Sequence, residues 1–428
     1  MSKHGRLYLQ NFTDSSGGLV LSECIMLIAV LSGMSATQLG LLNAFESLAV
    51  VVVAVPASFA VDRAGPFLTL PIASFVKVAI AIVAALAVAS SGISGVGAGV
   101  LLVCLSATTV LSEISQTTAA RRIEPDGDSF GRVVASMAAV DRVVSTIAPA
   151  VVGVLVGAGH EFFAIAAALA LLSFAAIFTA LLRQSSSEVV PPSSDLPQVA
   201  RSRARRFIRE GSLGFVTLWR SKRLRAVVGL LAATNGGLGV ADTVMVLFIL
   251  RRLGLPPATY GLLASVAAAS AVGAALLAPL ILAKLNPIKL LVFMSVAQFV
   301  FSCLPLAVLS SEEAAIPLLV LHDVGWSASI TLLGIAASVV VGREVPQAVV
   351  GRATGASRVL TYGVVPIASM LGGIAADRLG IVAPLVLWSA LSFAGMFLYL
   401  LGESCRRSSY YDGVTSGTGT SSPEEKVS

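Results

Sequence analysis

Twelve apolar stretches, each about long enough to cross a bilayer, follow one another along this chain and leave little of it over. A hydrocarbon core of about 30 Å takes about 20 helical residues, each rising about 1.5 Å. The stretches fall at roughly 15–34, 38–60, 67–90, 97–120, 132–156, 160–182, 225–250, 258–283, 288–309, 315–341, 353–376 and 381–402. Backbone groups in hydrocarbon must be hydrogen-bonded within the protein, and these runs are too long for barrel strands, so each is expected to be a helix. The expected fold is an all-α polytopic membrane protein of twelve transmembrane helices.

Only 12% of the residues are charged, against about 25% in a soluble domain, so no room is left for a soluble catalytic unit. No Walker sequence and no nucleophile triad is legible, and an enzyme is not expected. The histidines (His4, His160, His322) are far apart, and the cysteines (Cys24, Cys104, Cys303, Cys405) lack paired spacing, so no metal site or disulfide is expected. No cofactor is expected either, which leaves a proton gradient as the energy source. No cleavage site follows the first apolar run, which is therefore read as retained.

Two similar halves are visible. LSGMSATQLGLL (Leu31 to Leu42) and RLGLPPATYGLL (Arg252 to Leu263) each tie one apolar run to the next, about 220 residues apart. Pro149 and Pro366, each late in an apolar run, repeat at a similar interval and are read as helix bends, with Gly153 beside the first. Duplicated six-helix bundles suggest a rocking carrier. The expected division is residues 1–183 and 225–402 for the two bundles, 184–224 for a basic linker, and 403–428 for a disordered tail. The net charge of +6 gathers between 201 and 225, in RSRARRFIREGSLGFVTLWRSKRLR, which fits a cytoplasmic segment near lipid rather than a nucleic-acid partner. Most other basic residues fall in loops on that same side. The expectation is a monomer in the cell inner membrane with both termini cytoplasmic.

Charge within the apolar runs is costly, about 2.5–3.5 kcal/mol per group on insertion scales. Glu23, Glu46, Lys77, Asp141 and Arg142 fall near mid-depth and are expected to form one buried network in the first half, with Lys77 pairing Glu46. Glu113 is placed to pair Arg121 or Arg122, Arg358 to snorkel to the cytoplasm, and His322 either to titrate or to donate to a carbonyl. Asn235 and Trp326 are the polar and aromatic groups expected beside a substrate cavity with otherwise apolar walls.

SFAVDRAG (Ser58 to Gly65), between the second and third runs, resembles the loop signature of the major facilitator superfamily. Asp62, Arg63 and Gly65 match it, while Ser58 and Pro66-Phe67 depart from it. A second copy, GIAADRLG (Gly373 to Gly380), ends the eleventh run. The stretch entering the seventh run is similar to the central loop of the efflux branch that includes enterobactin and macrolide exporters. The resemblance implies that helices 1, 4, 7 and 10 line a central cavity, which puts Glu23, Glu113, Asp242 and Asp323 on the substrate path. It also implies an antiporter motif in helix 5, of which Pro149 and Gly153 are present while Ala148 and Val152 replace glycines. Carboxylates on that path are proton-coupling candidates, Glu23 first, Asp242 second, then Asp323 with His322, Glu46 and Glu113, because burial favours the neutral acid and water access the anion. Asp62 is expected to meet the N-terminus of helix 11, near Gly351 to Thr354, and hold the cytoplasmic side shut. The implied function is proton-coupled export of an amphipathic small molecule; uptake by symport and a non-transporting sensor or scaffold stand as alternatives.

Overall fold

The computed structural model describes residues 3–90, 93–124, 127–184, 215–345 and 350–416, and among them the chain is helical with no strand. The first half comprises α1 (Lys3–Leu31), α2 (Ala36–Ala64), α3 (Pro66–Ser90), α4 (Gly95–Ile123), α5 (Gly127–Gly157) and α6 (Glu161–Gln184). The second comprises α7 (Lys222–Leu247), α8 (Pro257–Lys284), α9 (Pro287–Ala307), α10 (Ala315–Glu344), α11 (Val350–Tyr362), α12 (Val365–Leu379) and α13 (Val382–Ser416). Twelve spans are long and apolar enough to cross a membrane, with α11 and α12 sharing one, Gly355–Leu379. An even number of crossings puts the N-terminus and the end of the last span on one side, here called the terminal face; the other is the far face.

Local chemistry marks the helix starts. Ser35 and Gln38 form a reciprocal capping box on α2, and Ser94 and Ser221 cap α4 and α7 through their hydroxyls. Asn286 caps α9, and prolines open α8 and α9, where a missing N–H costs nothing.

Three elements depart from the sequence reading. Helix α1 begins at Lys3 rather than near 15, because its first turns belong to the core: Leu7, Gln10, Asn11, Asp14, Gly18, Leu21 and Ile25 recur at helical spacing and are all buried. The eleventh span is broken rather than bent, with Pro366 in the first turn of α12, where it can donate no hydrogen bond back into α11. Pro149, by contrast, lies inside an unbroken α5. The third departure is at the C-terminus, where α13 continues to Ser416; the rest of the expected tail and linker residues 185–214 lie outside the described residues.

Within each half the helices pack on one another, α1 against α6, α5 and α4, and α7 against α13 and α12. Large apolar side chains that find no partner, such as Phe45, Phe75, Phe163, Leu276 and Leu280, point outward, where a bilayer would solvate them. The halves meet mainly where α2 packs on α12 and α7, and α5 on α8. The α11 segment packs instead on α7 and α10 of its own half.

Candidate functional site

Contacts between the halves gather at the far face, and small residues allow them. A Cβ built on Gly153 of α5 would fall 2.7 Å from the Pro257 carbonyl oxygen and 3.0 Å from Gly261 Cα, so only hydrogen fits there. Gly40 of α2 sits equally tightly on the Ser369 carbonyl and on Gly373 of α12. Polar bonds cross the same seam. Ser265 Oγ accepts from Ala150 N–H at 3.0 Å, Asn43 Nδ2 donates to Thr243 Oγ1 at 3.3 Å, and the Arg251 guanidinium donates to the Val30 carbonyl at 2.6 Å. Pro149 and Gly153 thus sit where α5 crosses onto the other half. Gly153→Val is expected to pry this seam open, raising thiol-reagent accessibility of a cysteine placed at Ala258; unchanged labelling would count against the close approach.

Beneath this seam lies a cavity of about 390 Å³ between the halves. Ser22, Glu23 and Met26 of α1 line it with Asn43, Glu46 and Ser47 of α2, Asp242 and Met245 of α7, Tyr260 of α8 and Ser369 of α12. Glu23, Glu46 and Asp242 are close enough to interact electrostatically. Asp242 presents its side chain to the cavity on an otherwise buried stretch of α7, while Ser106 Oγ donates to Glu46 at 3.2 Å. The walls are more polar than the composition suggests, because most of the chain's apolar residues face lipid or neighbouring helices.

The charge network of the first half differs from the sequence reading. Lys77, 1% exposed, pairs with Asp14 at 2.8 Å rather than with Glu46. Asp14 Oδ2 also accepts from Ser112 Oγ at 2.8 Å and Gln116 Nε2 at 3.4 Å. Asp141 accepts from Ser15 Oγ at 2.6 Å and Asn11 Nδ2 at 3.3 Å, while Arg142 is exposed on another side of α5, since adjacent helical residues do not share a face. Glu113 forms no ion pair among the described residues: Arg122 lies over Gly65, and Arg121 stacks on the Phe130 ring at 5.1 Å. Gln10, Asn11, Asp14 and Gln116 were not candidates from sequence. The signal for the first three was present, as polar residues continuing the buried face of α1 upstream of its apolar run.

The second half has a different centre. His322, 3% exposed, has Nδ1 2.7 Å from the Phe301 carbonyl and packs against Trp326 and Trp388, its ring centroid 5.0 Å from the latter. A donor role to that carbonyl is the alternative that the geometry matches. Trp326 and Asn235 are buried in this half and are not among the residues lining the central cavity. Asn235 sits on α7, whose cavity-facing side carries Asp242 and Met245, a rotation that spacing alone does not fix, and no described residue of α10, which carries Trp326, lines this cavity. Asp323 is half-buried near Tyr260, one helix away from Glu23 and Asp242.

The sequence model of the Major Facilitator Superfamily matches residues 20–368. The chain belongs to the major facilitator superfamily. No curated protein sequence matches it. Among solved structures it is similar to a nucleoside transporter, at 16% identity and TM-score 0.69, covering 94% of this chain and 100% of the other. A POT family transporter in complex with 5-aminolevulinic acid shares 13% identity at TM-score 0.68, over 93% of this chain and 94% of that one. A D-xylose-proton symporter shares 12% at TM-score 0.63, over 92% and 96%. At these identities the likeness shows the fold. This facilitator is a membrane transporter and not an enzyme.

In this facilitator the two Asp-Arg-x-Gly copies have the same local form. Each ends a helix on a glycine, Gly65 at φ 81° and Gly380 at φ 88°, a region side chains with Cβ avoid, and each glycine N–H returns to the carbonyl four residues back. Their surroundings differ. Asp62 and Arg63 are exposed at the terminal face, and α11, the partner expected from sequence, packs within its own half. Asp377 at the far face accepts from the N–H groups of Ala36 at 3.0 Å and Thr37 at 2.8 Å. Ser35 satisfies Gln38 N–H, so the free donors of the first turn of α2 are shared between a local cap and a carboxylate from the other half. Asp377 is exposed, which places its contribution near the low end of a cap, about 0.5–1 kcal/mol. Asp377→Ala is therefore expected to shift the balance away from the far-face-closed form by about two- to five-fold. Spin-label distances between the far-face ends of α2 and α12 would read the change; an unaltered distribution would remove Asp377 from the seal.

Proposed function

We propose that this facilitator is a proton-coupled exporter of an amphipathic small molecule carrying a cationic centre, working by alternating access. The observation that carries this reading is the meeting of Glu23 and Glu46 from one half with Asp242 from the other, in a cavity beneath the far-face seam. A carboxylate there has two partners to choose between, a proton and a cation. It can hold one or the other, so cargo and proton compete for one group. Competition of this kind gives exchange. Met26, Leu102, Met245 and Val365 complete the wall and suit a hydrocarbon skeleton.

In this reading the terminal face is cytoplasmic, as the basic 201–225 segment suggests, and the form described is closed to the outside. Asp377 and the Gly40 and Gly153 contacts hold the outer seam. Asp62, on the matching motif at the other end of α2, takes the start of α11 when the halves rock to close the inner side. Of the candidates, Glu23 and Asp242 carry the coupling proton, Glu46 tunes them, and Asp323 stands on the route to Tyr260. The likeness of the segment entering α7 to efflux carriers supports export.

The test is energised efflux of a cationic dye from cells stripped of their own pumps, with and without a protonophore. Protonophore-sensitive efflux is the expected result. Dye accumulation driven by the same gradient would instead establish symport, and no movement of any cationic dye would remove the substrate class.

A further inference from the structure

Residues 215–220 are helical and lead directly into α7, whose span, Lys222–Arg252, has its first residues at the terminal face. The stretch therefore lies at the edge of the membrane, near the lipid headgroups. One side of it is docked. Leu218, 1% exposed, packs with Leu224 and Val228 of α7, Val341 of α10, and Ala353 and Ala356 of α11. The adjoining side is open. Phe215, Val216 and Trp219 fall together on it, at positions i, i+1 and i+4, and all three are exposed, Trp219 by 64%. Large apolar groups left open on a stretch that Leu218 already holds to the protein point to a partner with hydrocarbon to offer.

Charge is arranged around this ridge. Four basic residues stand between 220 and 225, and the structure divides them. Arg223 is committed, its guanidinium donating to Glu344 and, at 3.1 Å, to Glu403, while Ser221 Oγ donates to Glu344 at 3.3 Å. Arg220, Lys222 and Arg225 are exposed and have no ion pair among the described residues. Two carboxylates are thus spent on Arg223, and three cations remain open beside the apolar ridge. Hydrocarbon next to negative charge is the chemistry of an anionic phospholipid. A nucleic acid would answer the cations and leave the ridge in water, and the position at the membrane edge favours lipid over a soluble peptide. We propose that Phe215 to Arg225 is a docking surface for an anionic phospholipid, its phosphate held by Arg220, Lys222 and Arg225 and an acyl chain laid along Phe215, Val216 and Trp219. Trp219 suits that boundary, where an amphipathic ring is favoured. Each basic residue beside an anionic leaflet adds about five-fold to partitioning. The surface shares no residue with the central cavity, so it stands whichever way cargo moves.

The experiment uses the full-length protein in phosphatidylcholine nanodiscs doped with brominated phosphatidylglycerol or, in parallel, with brominated phosphatidylcholine, and reads quenching of tryptophan fluorescence. Trp326 and Trp388 are buried, so Trp219 is the reporter. Half-maximal quenching is expected at a mole fraction on the order of ten-fold lower for the anionic lipid than for the neutral one. Trp219→Phe, which keeps the ridge, should abolish the difference by removing the reporter. Arg220→Gln with Lys222→Gln and Arg225→Gln should bring the two lipids level, and Phe215→Ser with Val216→Ser should raise the anionic half-maximum several-fold. Arg220→Lys with Arg225→Lys keeps the charges and should retain the preference, which separates loss of the surface from loss of the fold. Equal quenching by both lipids in wild type would overturn the proposal, as would a preference that survives the triple glutamine variant, the serine pair or Trp219→Phe undiminished. Inorganic phosphate should displace the brominated lipid no better than chloride at equal ionic strength; selective displacement would overturn the lipid surface and assign a free-phosphate site.

Discussion

Lys77→Met should lower the unfolding free energy of the first half by about 3–5 kcal/mol, the cost of leaving a buried carboxylate without its cation. The side chain is 1% exposed, its Nζ is 2.8 Å from Asp14 Oδ2, and the Ser112 and Gln116 groups around that oxygen are neutral, so no other cation takes over. The ordering of variants matters more than the single value. Removing both charges, in Lys77→Met with Asp14→Leu, should restore much of the loss, because the pair taken together gives up in desolvation most of what it gains by attraction. Thermal unfolding of the purified protein would check both. A Lys77→Met variant that melts with wild type would mean that the pair is hydrated or broken in the membrane.

Glu23→Gln should reduce protonophore-sensitive transport to the level of cells lacking the protein, with the chain still made and inserted. The amide keeps the size and polarity of the carboxyl group but can neither lose a proton nor attract a cation. Glu46 and Asp242 share its field, so neutralising one of three acids also relaxes their mutual repulsion. Exchange of cargo down its own gradient is expected to survive better than uphill transport, a split that a folding defect would not produce. Dye counterflow in proteoliposomes, measured beside energised efflux, separates the two. Full uphill activity in Glu23→Gln would move the coupling proton to another carboxylate.

Much of the architecture was legible because lipid imposes a simple rule on sequence. Twelve runs of about 20 apolar residues can only be spanning helices, and the Asp-Arg-x-Gly copies marked two helix ends that both terminate on a left-handed glycine. Errors gathered where a polar residue is satisfied inside the bundle. The first twelve residues of α1 fall outside the first apolar run, which the sequence starts near 15, yet in the fold Gln10, Asn11 and Asp14 bond to neighbouring helices, to Gln116 and Ser112 of α4 and to Lys77 of α3. Lys77 was assigned to Glu46 on depth alone. Depth fixes position along the membrane normal, and the choice between Glu46 and Asp14 is one of azimuth.

The same distinction separates what the amino-acid order determined from what only the tertiary structure decided. Number of spans, their approximate limits, the duplicated halves and the residues carrying charge inside the bilayer follow from local composition, since each helix must satisfy its own backbone wherever it sits. Which charges meet is set by helix rotation and by how closely two helices approach. That approach depends on glycines finding one another across halves more than 100 residues apart in the chain, Gly40 meeting Gly373 and Gly153 meeting Gly261. Asp377 illustrates both levels. Its motif could be recognised along the sequence, but its partner, the open first turn of α2, was supplied only when the two halves closed at the far face.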